Sequence, residues 1–355
     1  MILIRADANE QIGTGHVMRC LSIAKAFAKR GIESKFVVAD ERGRLLIEQN
    51  GFSAICINSN WQDMESELNE FMKVIYELNV KNILVDSYYV TPKYLKILSE
   101  RCKVVYLDDM NRECYDVDTI INYNIYAKTY DYSGYNGTRT ELLLNPQYTP
   151  LREEFEQCSR HKIKKVTDIF VSAGGSDPER ITERIMKSIC QKMPDIYFHF
   201  IVGALNPRLN NIRKIADIVQ NAILHINERN MSCLMEKCDI AISAAGTTLY
   251  ELCATGVPTI TYILADNQLV AAEQFEKQGI MLNAGDCRGD SKFISRVEQL
   301  LKELCENKKM RIKMSERMES IIDGYGARRI VDALFMNIPG QRNRLSDDKE
   351  IVNPE

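Results

Sequence analysis

The chain has 355 residues, of which 45 % are apolar and 27 % charged. That balance excludes wholesale disorder, and the length fits about two domains of roughly 150 residues each. With 46 Lys and Arg against 49 Asp and Glu, a net charge of −3, the basic excess needed to coat nucleic acid or an anionic membrane is missing, so neither is an expected partner.

Short apolar runs alternate with helix-period segments along the chain. Ile2–Arg5, Lys35–Ala39, Ile83–Asp86 and Val104–Asp108 read as buried strands. Val17–Lys29, Trp61–Leu78 and Pro92–Glu100 read as amphipathic helices between them. The polar stretch Glu153–Lys165 marks a seam, after which the pattern restarts. Strands are expected at Asp168–Ser172, Tyr197–Val202, Ile223–Ile226, Ile240–Ser243 and Thr259–Tyr262, and helices at Ile181–Lys192, Met231–Lys237, Thr248–Ala254 and Gln268–Lys277. Such alternation predicts an α/β protein of two doubly wound parallel sheets with a cleft between them. The expected domains span 1–155 and 163–336, and the polar residues 337–355 are expected to form a poorly ordered tail.

Arg5 and Asp7 interrupt any signal-peptide core near the start. The least polar region, Ile240–Ala265, is divided by Glu251 into uncharged runs of 11 and 14 residues, against the roughly 20 that a bilayer requires. Eleven cysteines, an odd number with no Cys-x-x-Cys pair, fit a reduced compartment. A cytoplasmic protein without stable membrane insertion is expected. His16, His161, His199 and His225 stand far apart, so no metal site is read and no cofactor is expected.

In doubly wound sheets, ligands bind where strand ends hand over to helix starts. Three segments have that form. In Ile12-Gly13-Thr14-Gly15-His16 the glycines permit a tight turn and His16 stands at the helix start. There the dipole favours a neutral imidazole able to take a proton from water, or else a His that merely caps its helix. The missing third glycine excludes the dinucleotide fingerprint. In Ser172-Ala173-Gly174-Gly175-Ser176-Asp177-Pro178 the backbone offers N–H groups to an anion, or makes a plain turn. In Ser243-Ala244-Ala245-Gly246-Thr247-Thr248-Leu249-Tyr250-Glu251 small residues let a diphosphate lie on a helix start. Glu251, one turn further, either accepts hydrogen bonds from a ribose diol or bonds a nearby Lys or backbone. Asp266-Asn267-Gln268 follows the next strand. Asp86-Ser87-Tyr88-Tyr89 and Asp108-Asp109 end two strands of the first half.

Together these segments resemble a family. RADANEQIGTGHVMRCLSIA is similar to the opening of the UDP-sugar hydrolases of pseudaminic acid (a nonulosonic acid) biosynthesis, and VDSYY, LDDMNRECYDVD, LNPQYTPLREEF, SAGGSDP, SAAGTTLYELCATGVPT and ADNQ continue the likeness in order to about residue 285. The Gly-Thr-Thr and Glu features are shared with the peptidoglycan lipid II glycosyltransferase. The resemblance implies a GT-B-like fold and release of 2,4-diacetamido-2,4,6-trideoxy-L-altrose and UDP, with inversion and without metal. It implies that His16, in its Gly13/Gly15 loop, activates water and that Tyr88 lines the sugar pocket. It further implies that Gly174, Gly175, Ser176, Gly246, Thr247, Thr248 and Glu251 hold UDP, with Asn267 and Gln268 beside the donor. The family often has His-Tyr-Gly where this chain has Ser87-Tyr88-Tyr89. A glycosyltransferase with the same donor grip, and a non-catalytic sugar-nucleotide binder, are the alternatives; the oligomeric state is not legible.

Overall fold

The computed structural model describes residues 1–156, 158, 163–203 and 206–336; the tail expected at 337–355 lies outside them. Two compact units emerge. The first comprises Met1–Asn122, Tyr132–Leu143 and the described residues from Tyr325 onward. The second comprises Tyr123–Asp131 and the described residues of Leu144–Gly324.

The first unit holds seven strands: β1 (Ile2–Ala6), β2 (Ser34–Val38), β3 (Ser53–Cys56), β4 (Asn82–Asp86), β5 (Lys103–Leu107), β6 (Thr119–Ile121) and β7 (Glu141–Leu143). All pair in parallel, in the order β3-β2-β1-β4-β5-β6-β7. β1 is buried along its whole length, as a strand covered by helices on both faces must be. Asp40 begins the Glu41–Gln49 helix by accepting from the N–H groups of Arg42 and Gly43, and Thr91 begins Pro92–Ser99 with proline in the first turn. The Gly326–Met336 helix packs on Gly15–Lys29, where Arg30 pairs with Asp332. The first unit thus takes in the far end of the described chain, which the expected span 163–336 had placed in the second. Amphipathic periodicity announces such a helix but not the sheet it covers.

The second unit holds six strands: β8 (Asp168–Ser172), β9 (Tyr197–Val202), β10 (Ala222–Ile226), β11 (Ile240–Ala244), β12 (Thr259–Ile263) and β13 (Leu282–Asp286). They are also parallel, in the order β10-β9-β8-β11-β12-β13. Alternate residues feed two cores. Ile169, Val171, Phe198, Phe200, Ile260 and Tyr262 enter one, whereas Phe170, Ala241 and Ile263 enter the other, with Leu249, Leu252 and Phe275 from the covering helices. Both sheets reverse direction beside their first strand, between β1 and β4 and between β8 and β11. Among the described residues no helix is long and apolar enough to cross a membrane.

Candidate active site

In the first unit, β1 and β4 are paired neighbours, with Ala6 opposite Asp86, so the loops leaving them share one edge at the switch point. The loop after β1 turns through Gly13 at φ +72 and is tied by Asn9, whose Oδ1 accepts from the N–H groups of Gln11 at 2.9 Å and Ile12 at 3.0 Å. The following helix, Gly15–Lys29, carries His16 in its first turn.

His16 Nδ1 lies 2.6 Å from Asp86 Oδ1 at the end of β4. Arg19, three residues along the same helix, donates from Nε to Asp86 Oδ2 at 2.6 Å and from Nη2 to Asp86 Oδ1 at 2.5 Å. Its Nη1 donates to Asp109 Oδ2 at 2.8 Å, and the Tyr88 hydroxyl donates to that same oxygen at 3.3 Å. The Tyr88 ring meets the imidazole edge-on with centroids 4.5 Å apart. Arg19 thus joins the two carboxylates that hold His16 and Tyr88.

Burial by itself would raise the pKa of Asp86, which is 1 % exposed, but Arg19 and His16 outweigh burial and hold the carboxyl well below the usual carboxylate range. An ionised Asp86 accepts from Nδ1–H. In the neutral imidazole that places the lone pair on Nε2, which has no hydrogen bond among the described residues. Arg19 Nη2 also lies 3.3 Å from Nδ1, a contact requiring the opposite tautomer. The 2.6 Å bond to a full charge prevails. His16 is largely buried, yet it lines a small recess with Asp7, Ile12, Trp61, Asp86, Ser87, Tyr88 and Tyr89, with room for about one water molecule. The arrangement orients an imidazole as a proton acceptor beside a water-sized space.

In the second unit, β8, β11 and β12 lie side by side, so the loops after their ends gather Gly174–Ser176, Gly246–Thr248 and Asn267–Gln268 along one sheet edge. The described hydrogen bonds leave the N–H groups of Gly174, Gly175, Ser176, Thr247 and Thr248 without a protein acceptor. Open space lies where a Cβ would stand on Gly174, Gly175 and Gly246. Gly174 has φ +72, which glycine accepts without strain. The start of Ile181–Ser188 is already occupied: Asp177 accepts from Ile181 N–H at 2.7 Å and Thr182 N–H at 3.0 Å. Anion capacity on that side therefore rests on the glycine loop and not on the helix.

Glu251 stands in the first turn of the Thr248–Thr255 helix and pairs with Arg152, Nη2 to Oε1 at 3.0 Å, with its side chain 16 % exposed. Burial pushes its carboxyl up despite Arg152. Its partner is an arginine, neither the Lys nor the backbone considered from sequence. Gln268 Oε1 accepts from Leu264 N–H at 2.8 Å, which fixes the turn after β12; Asn267 is exposed.

Sequence reading passed over Arg19 and Arg152. Arg19 had a signal, its i+3 spacing from His16 on a helix. Arg152 had none, since 99 residues separate it from Glu251.

Residues 169–325 match the glycosyltransferase family 28 C-terminal domain. The chain is 27 % identical over 281 residues to an uncharacterized protein of Methanocaldococcus jannaschii, covering 76 % of this chain and 56 % of that protein, so it spans little more than half of that relative. It is 26 % identical over 283 residues to the UDP-2,4-diacetamido-2,4,6-trideoxy-beta-L-altropyranose hydrolase of Campylobacter jejuni, covering 78 % of this chain and 97 % of that one. A spore coat polysaccharide biosynthesis protein of Bacillus subtilis is 24 % identical over 345 residues, covering 93 % and 96 %. Among solved structures, Acinetobacter baumannii MurG superposes with a TM-score of 0.68 at 15 % identity, covering 94 % of this chain and 99 % of that one. Residues 169–325 therefore resemble the glycosyltransferase family 28 C-terminal domain, and the chain as a whole has a GT-B fold and is similar to a protein named as a UDP-2,4-diacetamido-2,4,6-trideoxy-beta-L-altropyranose hydrolase.

Proposed function

We propose that the chain hydrolyses UDP-2,4-diacetamido-2,4,6-trideoxy-β-L-altropyranose to UDP and the free sugar, a step of pseudaminic acid biosynthesis. The observation that carries this reading is the imidazole of His16, held through Nδ1 by buried Asp86 with Nε2 unbonded beside a water-sized recess. The named relative from Campylobacter jejuni supports the substrate.

In the first unit, neutral His16 takes a proton at Nε2 from water as that water attacks the anomeric carbon on the face opposite UDP. The C–O bond breaks with inversion and its electron pair leaves on the diphosphate oxygen. Ionised Asp86 steadies the imidazolium so formed, as the orienting carboxylate does in catalytic triads. Tyr88, fixed by Asp109, lines the sugar side. In the second unit, the free N–H groups of Gly174–Ser176 and of Thr247 and Thr248 stabilise the departing diphosphate. Glu251 accepts from the ribose hydroxyls, and Asn267 and Gln268 flank the donor. Main-chain dipoles meet the diphosphate charge here, so turnover needs no added divalent cation.

Incubation with the UDP-sugar and no acceptor tests the reading: UDP is released. His16→Ala retains UDP affinity and loses turnover by about 10²- to 10⁴-fold, the usual contribution of one general base; undiminished turnover discards His16 as the base. The family 28 match and the likeness to MurG favour a second reading, a glycosyltransferase with the same donor grip. Release of UDP only when an acceptor is supplied selects it, and no release under either condition leaves a sugar-nucleotide binder.

A further inference from the structure

The recess beside His16 admits about one water molecule, and a buried water keeps its place through roughly two to four hydrogen bonds. Both carboxylates of its lining already have their charge met by an arginine. Asp86 holds Arg19 as well as His16, and Asp7 Oδ2 lies 2.7 Å from Arg5 Nη1 while its Oδ1 accepts from Ala39 N–H at 2.7 Å. Arg5 is clamped in turn by Glu67, Nε to Oε1 at 2.7 Å and Nη2 to Oε2 at 2.8 Å. Neither carboxylate is thus left as a base that competes with His16. Trp61 is half-buried and Tyr89 exposed, so solvent reaches both. Among the buried groups of the lining, His16 Nε2 and the Ser87 hydroxyl remain to hold a water.

Ser87 follows β4 directly and is 8 % exposed. Its Oγ accepts from Tyr89 N–H at 3.1 Å, which closes a tight turn, and its carbonyl accepts from the Tyr106 hydroxyl of β5 at 3.2 Å. Side chain and backbone are therefore both fixed before any ligand arrives. A hydroxyl offers one donor and two acceptor positions. Tyr89 takes one acceptor position, and the Ser87 O–H has no acceptor among the described residues. One donor and one acceptor position stay available at the recess.

We propose that Ser87 is the second anchor of the water that His16 deprotonates, a positioning residue for the nucleophile. His16 Nε2 accepts one O–H of that water and Ser87 Oγ accepts the other, which leaves an oxygen lone pair to meet the anomeric carbon. One acceptor lets the water swing about a single bond, whereas two fix its plane. On attack the first proton passes to Nε2, the new C–O bond forms, and the diphosphate leaves with the electron pair of the old one. The second proton stays on the product hydroxyl, so the serine gains and loses none. The proposal rests on the hydrolase reading and deepens it.

Ser87→Ala is expected to lower kcat about tenfold, the worth of one hydrogen bond, with KM and UDP affinity unchanged. The acid limb of its pH profile should stay where wild type has it, because Asp86 still holds His16. Ser87→Thr keeps the hydroxyl and is expected to retain most of the turnover. Adding Ser87→Ala to His16→Ala should cost little more, since both groups act on one water. A raised KM at unchanged kcat means that Ser87 only shapes the Tyr88–Tyr89 turn and overturns the proposal, as do fully additive losses in the double variant. The water is also observable without turnover. A crystal structure of the wild-type protein should show one within about 3.2 Å of both His16 Nε2 and Ser87 Oγ. Its absence overturns the proposal even if Ser87→Ala does not fold. Failure of wild type to release UDP without an acceptor removes the hydrolase reading and the role of this water together, whereas release that Ser87→Ala leaves unchanged removes Ser87 alone.

Discussion

Replacing Asp86 by Asn preserves shape and removes one charge, so it separates what the carboxylate does from the space it fills. Four donors converge on Asp86: His16 Nδ1 at 2.6 Å, Arg19 Nε at 2.6 Å, Arg19 Nη2 at 2.5 Å and, more weakly, the Cys20 thiol at 3.5 Å. An amide offers one oxygen and presents an N–H₂ where the other oxygen stood, so at least one donor faces another donor. Removing one partner of a buried ion pair costs about 3–5 kcal/mol. Arg19 keeps Asp109 at 2.8 Å, so about 3 kcal/mol is expected, measured as a lower urea midpoint at unchanged m-value. The sign with pH is fixed as well. The Asp86 pKa is depressed in the folded protein, so its contribution is present above the ordinary value near ~3.9 and is lost as pH falls below that. The Asn variant lacks this acid-labile component. Turnover should fall about 10²- to 10⁴-fold, because Asn no longer fixes the tautomer that leaves Nε2 as acceptor. If the two residues act as a unit, adding Asp86→Asn to His16→Ala costs little further turnover. Unchanged turnover in the single variant, or fully additive losses in the double, refutes the reasoning.

How much of this was legible depended on distance along the chain. The central strands showed themselves because burial on both faces demands continuous apolar runs, and β8 and β9 were read to the residue. β6 and β7 have three residues each, too few to show a period, and β13, Leu-Asn-Ala-Gly-Asp, has the composition of a turn. The Glu41–Gln49 helix was passed over because charges dominate it and only Gly43 and Ile47 are buried. His16, Gly246 and Glu251 were found because each sits in a local strand-turn-helix pattern. The partners that give them chemistry were not, because the sheet supplies them: β1 beside β4 brings Asp86 to His16 across 70 residues. From sequence, only the positive end of a helix dipole faces His16; the fold adds a buried carboxylate and the Arg19 that keeps it ionised.

His225 lies with Nε2 2.9 Å from His199 Nδ1, and burial followed by repulsion from His199 lowers its pKa. The neutral form is favoured on folding, so the urea midpoint should decline as pH falls below about 6.5, more in wild type than in His225→Gln. Gly324→Ala should lose more than about 2 kcal/mol: its φ is +82 and a Cβ would stand 1.9 Å from the Phe155 carbonyl oxygen. A chelator such as EDTA should leave turnover unchanged, and loss restored by a divalent cation would show that backbone N–H groups do not suffice for the diphosphate. Arg152→Gln tests the ribose grip through pH. Burial already pushes the Glu251 carboxyl up, and Arg152 opposes that rise both as a charge and as a hydrogen-bond donor. Without Arg152 the carboxyl rises further and protonates at a higher pH. A protonated carboxyl has lost acceptor capacity toward a ribose diol. As pH is lowered, UDP affinity measured by calorimetry should therefore begin to fall at a higher pH in the variant than in wild type. A loss of the same size across the whole pH profile, with no displacement of its acid limb, would mean that Arg152 contributes only packing or its own contact with UDP, and that Glu251 does not hold the ribose as a carboxylate.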